Sequence, residues 1–228
     1  MRLKSGPVTY GAGVLRGKAL AAFLFLGLPA CAEPVTVLAF GASLTQGYGL
    51  VEAEGFVPQL QAWLDAQGAE ARIVNGGVSG STTAGGAAAV GWAMTADVDA
   101  MIVALGGNDL LRGIDPEESR ANLAEILDVA DEAGVEVLLA GLITPGNYGA
   151  EYKEAFEGMY PALAETYGTL LYPDFFAGLR AAEGARTDYF QPDGIHPNAA
   201  GVALIVEDIG PAVLELIAEA VDKAGDGT

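Results

Sequence analysis

Residues 35–49 read VTVLAFGASLTQGYG: Val35–Phe40, then Gly41-Ala42-Ser43-Leu44-Thr45-Gln46-Gly47-Tyr48-Gly49. Five of the first six residues are apolar, and Val35, Thr36 and Val37 are β-branched. That is the composition of a strand covered on both faces. The next nine residues hold three glycines around Ser43. Downstream, apolar residues at 56, 57, 60, 63 and 64 have helical spacing. Strand, glycine-rich loop and helix together form one β-loop-α unit.

The unit recurs. Ala71–Asn75, Ala100–Leu105, Val135–Leu142 and Thr169–Tyr172 read as further strands. Helices are expected over Gly55–Gly68, Thr82–Met94, Asp115–Ala133 and about Ala150–Tyr167, and from Asn198 to about Ala224. A break in the last is expected near Gly210-Pro211, because proline removes a helical hydrogen bond. Asp115-Pro116-Glu117-Glu118 carries an N-cap, a first-turn proline and first-turn acids. Trp63 and Trp92 are expected in the core. Regular alternation without repeats or linkers predicts one α/β domain. Its expected form is a three-layer α/β/α, flavodoxin-like arrangement around a central parallel sheet.

Ligands of such sheets bind at the carboxyl ends of the strands. The loops there read Gly41–Gly49, Asn75–Gly86 (NGGVSGSTTAGG) and Gly106–Gly113 (GGNDLLRG). All three are rich in glycine and carry Ser or Asn.

Composition narrows the chemistry. The chain has 228 residues, 51% hydrophobic and 18% charged, enough for a sizeable core and incompatible with global disorder. Lys+Arg number 11 against 30 Asp+Glu, for a net charge of −19. No basic stripe exists to neutralise phosphates, which argues against nucleic-acid partners and anionic membrane surfaces. One Cys and one His, Cys31 and His196, cannot build a Cys/His metal site of three or four ligands. No metal or cofactor is expected, and a monomer is expected.

The N-terminus reads differently. Arg2, Lys4, Arg16 and Lys18 are the only charges before Glu33, and Ala19–Ala32 is uncharged. That run is too short to span a bilayer. Basic region, short apolar region and Ala30-Cys31-Ala32 read as a secretory signal over residues 1–32, cleaved before Glu33. Periplasmic or secreted localisation follows as an expectation. Lipid anchoring at Cys31 is the lesser alternative, since Leu28-Pro29-Ala30-Cys31 makes a poor lipidation site. Cleavage removes four basic and no acidic residues, leaving 7 against 30 and a charge of −23 on residues 33–228.

No G-x-G-x-x-G stands at a strand-to-helix junction, and Gly80-x-x-x-x-Gly85 is followed by Gly86 rather than Lys. Nucleotide binding therefore loses its usual supports. The G-x-S-x-G elbow is absent too. What remains is Ser43 just past the first strand. A serine needs a base, and His196 is the only imidazole. It lies in Asp193-Gly194-Ile195-His196-Pro197-Asn198, where Asp193 is close enough to orient the ring. The backbone N–H groups of Ser43 and Gly80 and the side-chain amide of Asn108 could receive an oxyanion. Taken singly, each is ordinary: Ser43 a turn residue, His196 incidental, Asn108 a cap. Their joint placement on strand-end loops is what carries weight.

These residues fall into four ordered blocks: Gly41-Ala42-Ser43-Leu44-Thr45 with Gly47 and Gly49, Val78-Ser79-Gly80, Gly106-Gly107-Asn108-Asp109, and Asp193 to His196. So arranged, the chain after residue 32 resembles the SGNH, or GDSL, hydrolases. Within them it is most similar to the periplasmic acyl-CoA thioesterase, lysophospholipase and arylesterase branch, which Pro145–Gly149 and Tyr152–Phe156 also resemble. The resemblance implies Ser43 as nucleophile, His196 as base and acid, Asp193 as orienter, and an oxyanion hole of Ser43, Gly80 and Asn108. It further implies hydrolysis of short- to medium-chain aryl esters, thioesters or lysophospholipids through an acyl-enzyme. Leu110, Leu111 and Ile114 are candidates for an acyl groove, with packing under a loop the alternative. Two rival readings stand beside this one: a deacetylase or acyltransferase of cell-wall glycans, and a binding module with a decayed site. The second is motivated by Ala42, which replaces the Asp that the family carries before its nucleophile. If that Asp restrains the nucleophile turn, restoring it is expected to raise kcat about tenfold or more with little change in KM.

Overall fold

A computed structural model of the chain describes residues 1, 2, 6, 33–184 and 186–226. Apart from residues 1, 2 and 6, the proposed signal segment, with its apolar run and Cys31, lies outside the described residues. Glu33–Thr228 forms one unit.

Its elements run β1 (Val35–Gly41), α1 (Ser43–Gln46), α2 (Phe56–Gln67), β2 (Ala71–Gly77) and α3 (Thr83–Ala93). Then come β3 (Ala100–Ala104), α4 (Gly107–Arg112), α5 (Pro116–Ala133), β4 (Glu136–Ala140) and α6 (Ala150–Tyr167). β5 (Leu170–Tyr172), α7 (Ala177–Ala181), α8 (Arg186–Tyr189) and α9 (Ala199–Asp226) complete the order. The strands form one parallel sheet in the order β2-β1-β3-β4-β5. The order reverses at β1, so the crevice above β1 and β3 is where a ligand is expected.

Side chains alternate between two cores, as the two-residue period of a strand requires. Val37 and Ala39 of β1, Ile102 of β3 and Leu138 of β4 face one core with Leu60, Leu64, Ile209 and Val213. Leu38, Phe40, Met101, Val103 and Leu139 face the other with Leu123, Ile126 and Phe156. Helices α2 and α9 therefore cover one face, and α3, α5 and α6 the other. The three-layer α/β/α architecture expected from the alternation is the one present.

Two expectations are corrected. Helix α9 is continuous from Ala199 to Asp226 with Pro211 inside it. Gly210 serves packing instead: a Cβ there would stand 2.7 Å from the Trp63 ring. The bare backbone lets α9 close on α2, and burial of α9 along its length outweighs the hydrogen bond lost at Pro211. Trp63 packs against a core, but Trp92 on α3 is 91% exposed. Helix α3 buries Thr83, Gly86 and Val90, and Trp92 falls on the opposite face.

Candidate active site

Ser43 sits at the start of α1, two residues past the buried end of β1. The short helix rests on the neighbouring strand. A Cβ on Gly77 of β2 would overlap the backbone of Gln46, so only glycine admits α1 at this height. Gln46 reaches on to the next loop, its side-chain carbonyl accepting from the Ser79 N–H at 3.2 Å and from the Ser79 hydroxyl.

His196 and Asp193 lie on a tight turn before α9. Asp193 Oδ1 accepts from the backbone N–H of Ile195 at 2.9 Å and of His196 at 3.0 Å. Its Oδ2 lies 2.6 Å from His196 Nδ1. This places the ring proton on Nδ1 and turns the Nε2 lone pair toward Ser43 Oγ, 2.9 Å away. The hydrogen bond from His196 and the two backbone donors pull the Asp193 carboxyl down to about 2. The ring of Tyr48 stands over the imidazole, centroids 4.7 Å apart.

The third element is the loop at α4. Asn108 donates through Nδ2 to the Ser81 carbonyl at 2.9 Å, which orients its amide. Gly80, one residue earlier than Ser81, is held from behind: its carbonyl accepts from Arg112 at 3.0 Å. Beneath them Asp109 is fully buried. It accepts from the Thr83 N–H at 2.9 Å, the Thr83 hydroxyl at 2.6 Å and the Ser119 hydroxyl at 3.2 Å. A buried carboxylate is tolerated only with such partners. Asp109 thereby ties α3, α4 and α5 together under Asn108.

Ser43, Gly80, Asn108 and His196 open into one groove of about 700 Å³. Leu110 and Leu111 line it. Ile114 is not among its lining residues. It instead anchors the loop, its N–H donating to the Asp109 carbonyl at 3.0 Å and its carbonyl accepting from Tyr152 at 2.9 Å. Other lining residues escaped the sequence reading: Leu142 and Ile143 after β4, Phe175 and Phe176 before α7, and Tyr189 and Phe190 at α8. Asp109 and Gln46 were missed too. A charged residue directly after the oxyanion candidate Asn108 was the one signal that pointed to the former.

This arrangement contains what acyl transfer to water needs: a hydroxyl, a base oriented by a carboxylate, and amide donors around one apolar groove. Comparison with known proteins agrees. The chain is 38% identical over 183 residues to the esterase TesA of Pseudomonas aeruginosa, covering 80% of this chain and 89% of the relative. It is 34% identical to thioesterase 1/protease 1/lysophospholipase L1 of Escherichia coli, covering 77% and 83%. The structure of AlinE4, an SGNH-hydrolase family esterase, superposes with a TM-score of 0.67 at 41% identity, covering 81% of this chain and 97% of that one. Residues 39–204 match the GDSL-like lipase/acylhydrolase family. The chain belongs to that family and is a serine hydrolase acting on esters.

Proposed function

We propose that Ser43 is the nucleophile, His196 the general base and acid, and Asp193 the residue that orients the ring. The observation that carries this reading is the unbroken line Asp193 Oδ2–His196 Nδ1–Nε2–Ser43 Oγ, at 2.6 and 2.9 Å. Nε2 takes the Ser43 proton as Oγ attacks the ester carbonyl. The N–H groups of Ser43 and Gly80 and the Asn108 amide receive the oxyanion, where charge develops. His196 returns the proton to the departing alcohol, leaving an acyl-Ser43. Water, deprotonated by the same imidazole, then releases the acid and restores Ser43. No step calls on a metal or cofactor.

The groove divides by chemistry. The departing oxygen must lie within reach of His196, so the alcohol part of the substrate occupies the side of Tyr48, Tyr189 and Phe190. The acyl chain then runs past Asn108 along Leu110, Leu111, Leu142 and Ile143. Short- to medium-chain acyl esters with apolar or aromatic alcohols fit these walls. Acyl thioesters and lysophospholipids, suggested by the name of the Escherichia coli relative, share the acyl arm. A glycan substrate would need a more polar lining. The charge of −19 works against polyanionic acyl-CoA, so uncharged esters are the better substrates.

The test is twofold. A fluorophosphonate probe should add one label, on Ser43, and a series of p-nitrophenyl esters should turn over faster than acyl-CoA of equal chain length. Label on another residue, or none, sinks the site. A preference for acyl-CoA sinks the substrate reading.

Export is a separate proposal, resting on the sequence of residues 1–32. Material recovered outside the cytoplasm should begin at Glu33. A lipidated Cys31 at the terminus would favour anchoring instead.

A further inference from the structure

Ser43 and His196 are 153 residues apart, on two loops that share no strand pairing. Something must fix their separation to a few tenths of an ångström. We infer that Gln191 is a positioning residue, whose side-chain amide bolts the histidine loop to the nucleophile loop. The inference rests on the assignment of Ser43 and His196 above.

Gln191 stands at the base of the histidine turn, opposite Pro197. Its Nε2 carries two protons, and both are engaged. One goes to the Pro197 carbonyl at 2.9 Å, closing the turn on itself. The other goes to the Tyr48 carbonyl at 2.8 Å, on the nucleophile loop. The main chain continues the line in both directions. The Gln191 N–H donates to the His196 carbonyl at 2.8 Å, and the Tyr48 N–H donates to the Ser43 carbonyl at 3.0 Å. A path of hydrogen bonds thus joins the backbone of the nucleophile to the backbone of its base, through one side chain.

The nucleophile loop is shaped to receive that side chain. Gly49 has φ +77°, and a Cβ there would overlap the side-chain amide oxygen of Gln191. A larger residue at 49 would be strained and would also displace the amide. Glycine at 49 and glutamine at 191 form one fitted contact between segments distant in sequence.

The role demands two donors directed at two carbonyl oxygens, which only the amide supplies at this length. Glutamate has the same shape and no donors at neutral pH, and methionine has similar length and no charge. Misplacement of reacting groups by about an ångström costs on the order of 100-fold in rate. Gln191→Glu and Gln191→Met should therefore each lower kcat on p-nitrophenyl butyrate by roughly 10- to 100-fold. KM should stay within about twofold, since neither loop's apolar lining changes. Fluorophosphonate inactivation of Ser43 should slow by a similar factor. Circular dichroism fixes the folded fraction, so a loss that merely tracks unfolding is recognised and overturns the inference. So does unchanged kcat in both variants, a rise in KM in place of a fall in kcat, or a loss in Gln191→Glu that Gln191→Met does not share. Ser43→Ala, run alongside, tests the underlying assignment alone: full activity there removes the site itself.

Discussion

The Gly41–Gly49 loop leaves β1, a strand buried along its whole length and paired on both sides. The Gln191–Asn198 loop follows no strand of the sheet and is only partly buried. Both present one end of the Ser43–His196 hydrogen bond, yet their supports differ in kind. Ser43 is placed by the sheet: β1 sets its height, Gly77 of β2 its lateral position. His196 is placed locally, by a carboxylate that accepts three hydrogen bonds within four residues, and by Gln191. Ser43 thus inherits the rigidity of the core, whereas His196 depends on a few polar contacts. Damage on the first side should cost stability and activity together. Damage on the second should cost mainly activity.

The largest effects treat the sides alike. Ser43→Ala and His196→Ala should each lower kcat by about 10⁴-fold or more, because triad members act as a unit. Steady-state kinetics on one aryl ester decides, and near-full activity in either variant would refute the assignment. Asn108→Ala should follow at roughly 10²–10³-fold, the usual loss of one oxyanion donor.

A sharper separation comes from Gly77→Ala. The new Cβ would force α1 off β2, so kcat should fall about tenfold and stability by about 1–3 kcal/mol, as for overpacking. Asp193→Asn makes the opposite case: a severe loss of kcat with a smaller drop in thermal midpoint at neutral pH than Gly77→Ala shows. A drop as large as that of Gly77→Ala would erase the proposed difference between the loops.

Acid titration probes the histidine side by itself. The Asp193 carboxyl falls from its ordinary 3.8 to about 2 on folding, chiefly through its hydrogen bond with His196. Its contribution to stability is then fully present above 3.8 and is lost as pH falls through about 2. Asp193→Asn should flatten the pH dependence of unfolding in that window.

The smallest effect concerns Ala42. It is the N-cap of α1 and makes no side-chain cap, which fits the loss of a restraint expected from the sequence. The structure supplies other restraints, however: Gly77 beneath α1 and the Gln46 contacts to Ser79. Ala42→Asp should therefore raise kcat by about threefold rather than tenfold, as a missing cap on an otherwise supported turn. A lower kcat in the Asp variant would mean that the buried, apolar surroundings of Ala42 reject the charge.

Local pattern was enough for the three layers, the parallel sheet, and the loops that carry Ser43, Gly80, Asn108, Asp193 and His196. These follow from local rules: side-chain period, glycine punctuation, and the scarcity of imidazole in this chain. The remainder depends on contacts between residues far apart, which no local pattern records. Pro211 continues a helix because Gly210 lets Trp63 approach, and Trp92 is exposed because α3 buries its other face. Ile114 belongs to a loop anchor rather than the groove, and Phe175, Phe176, Tyr189 and Phe190 join the groove from segments without a motif. Gln191 looks in sequence like any polar loop residue. Only folding brings its amide against a carbonyl 143 residues away and makes it a joint between the loops of Ser43 and His196.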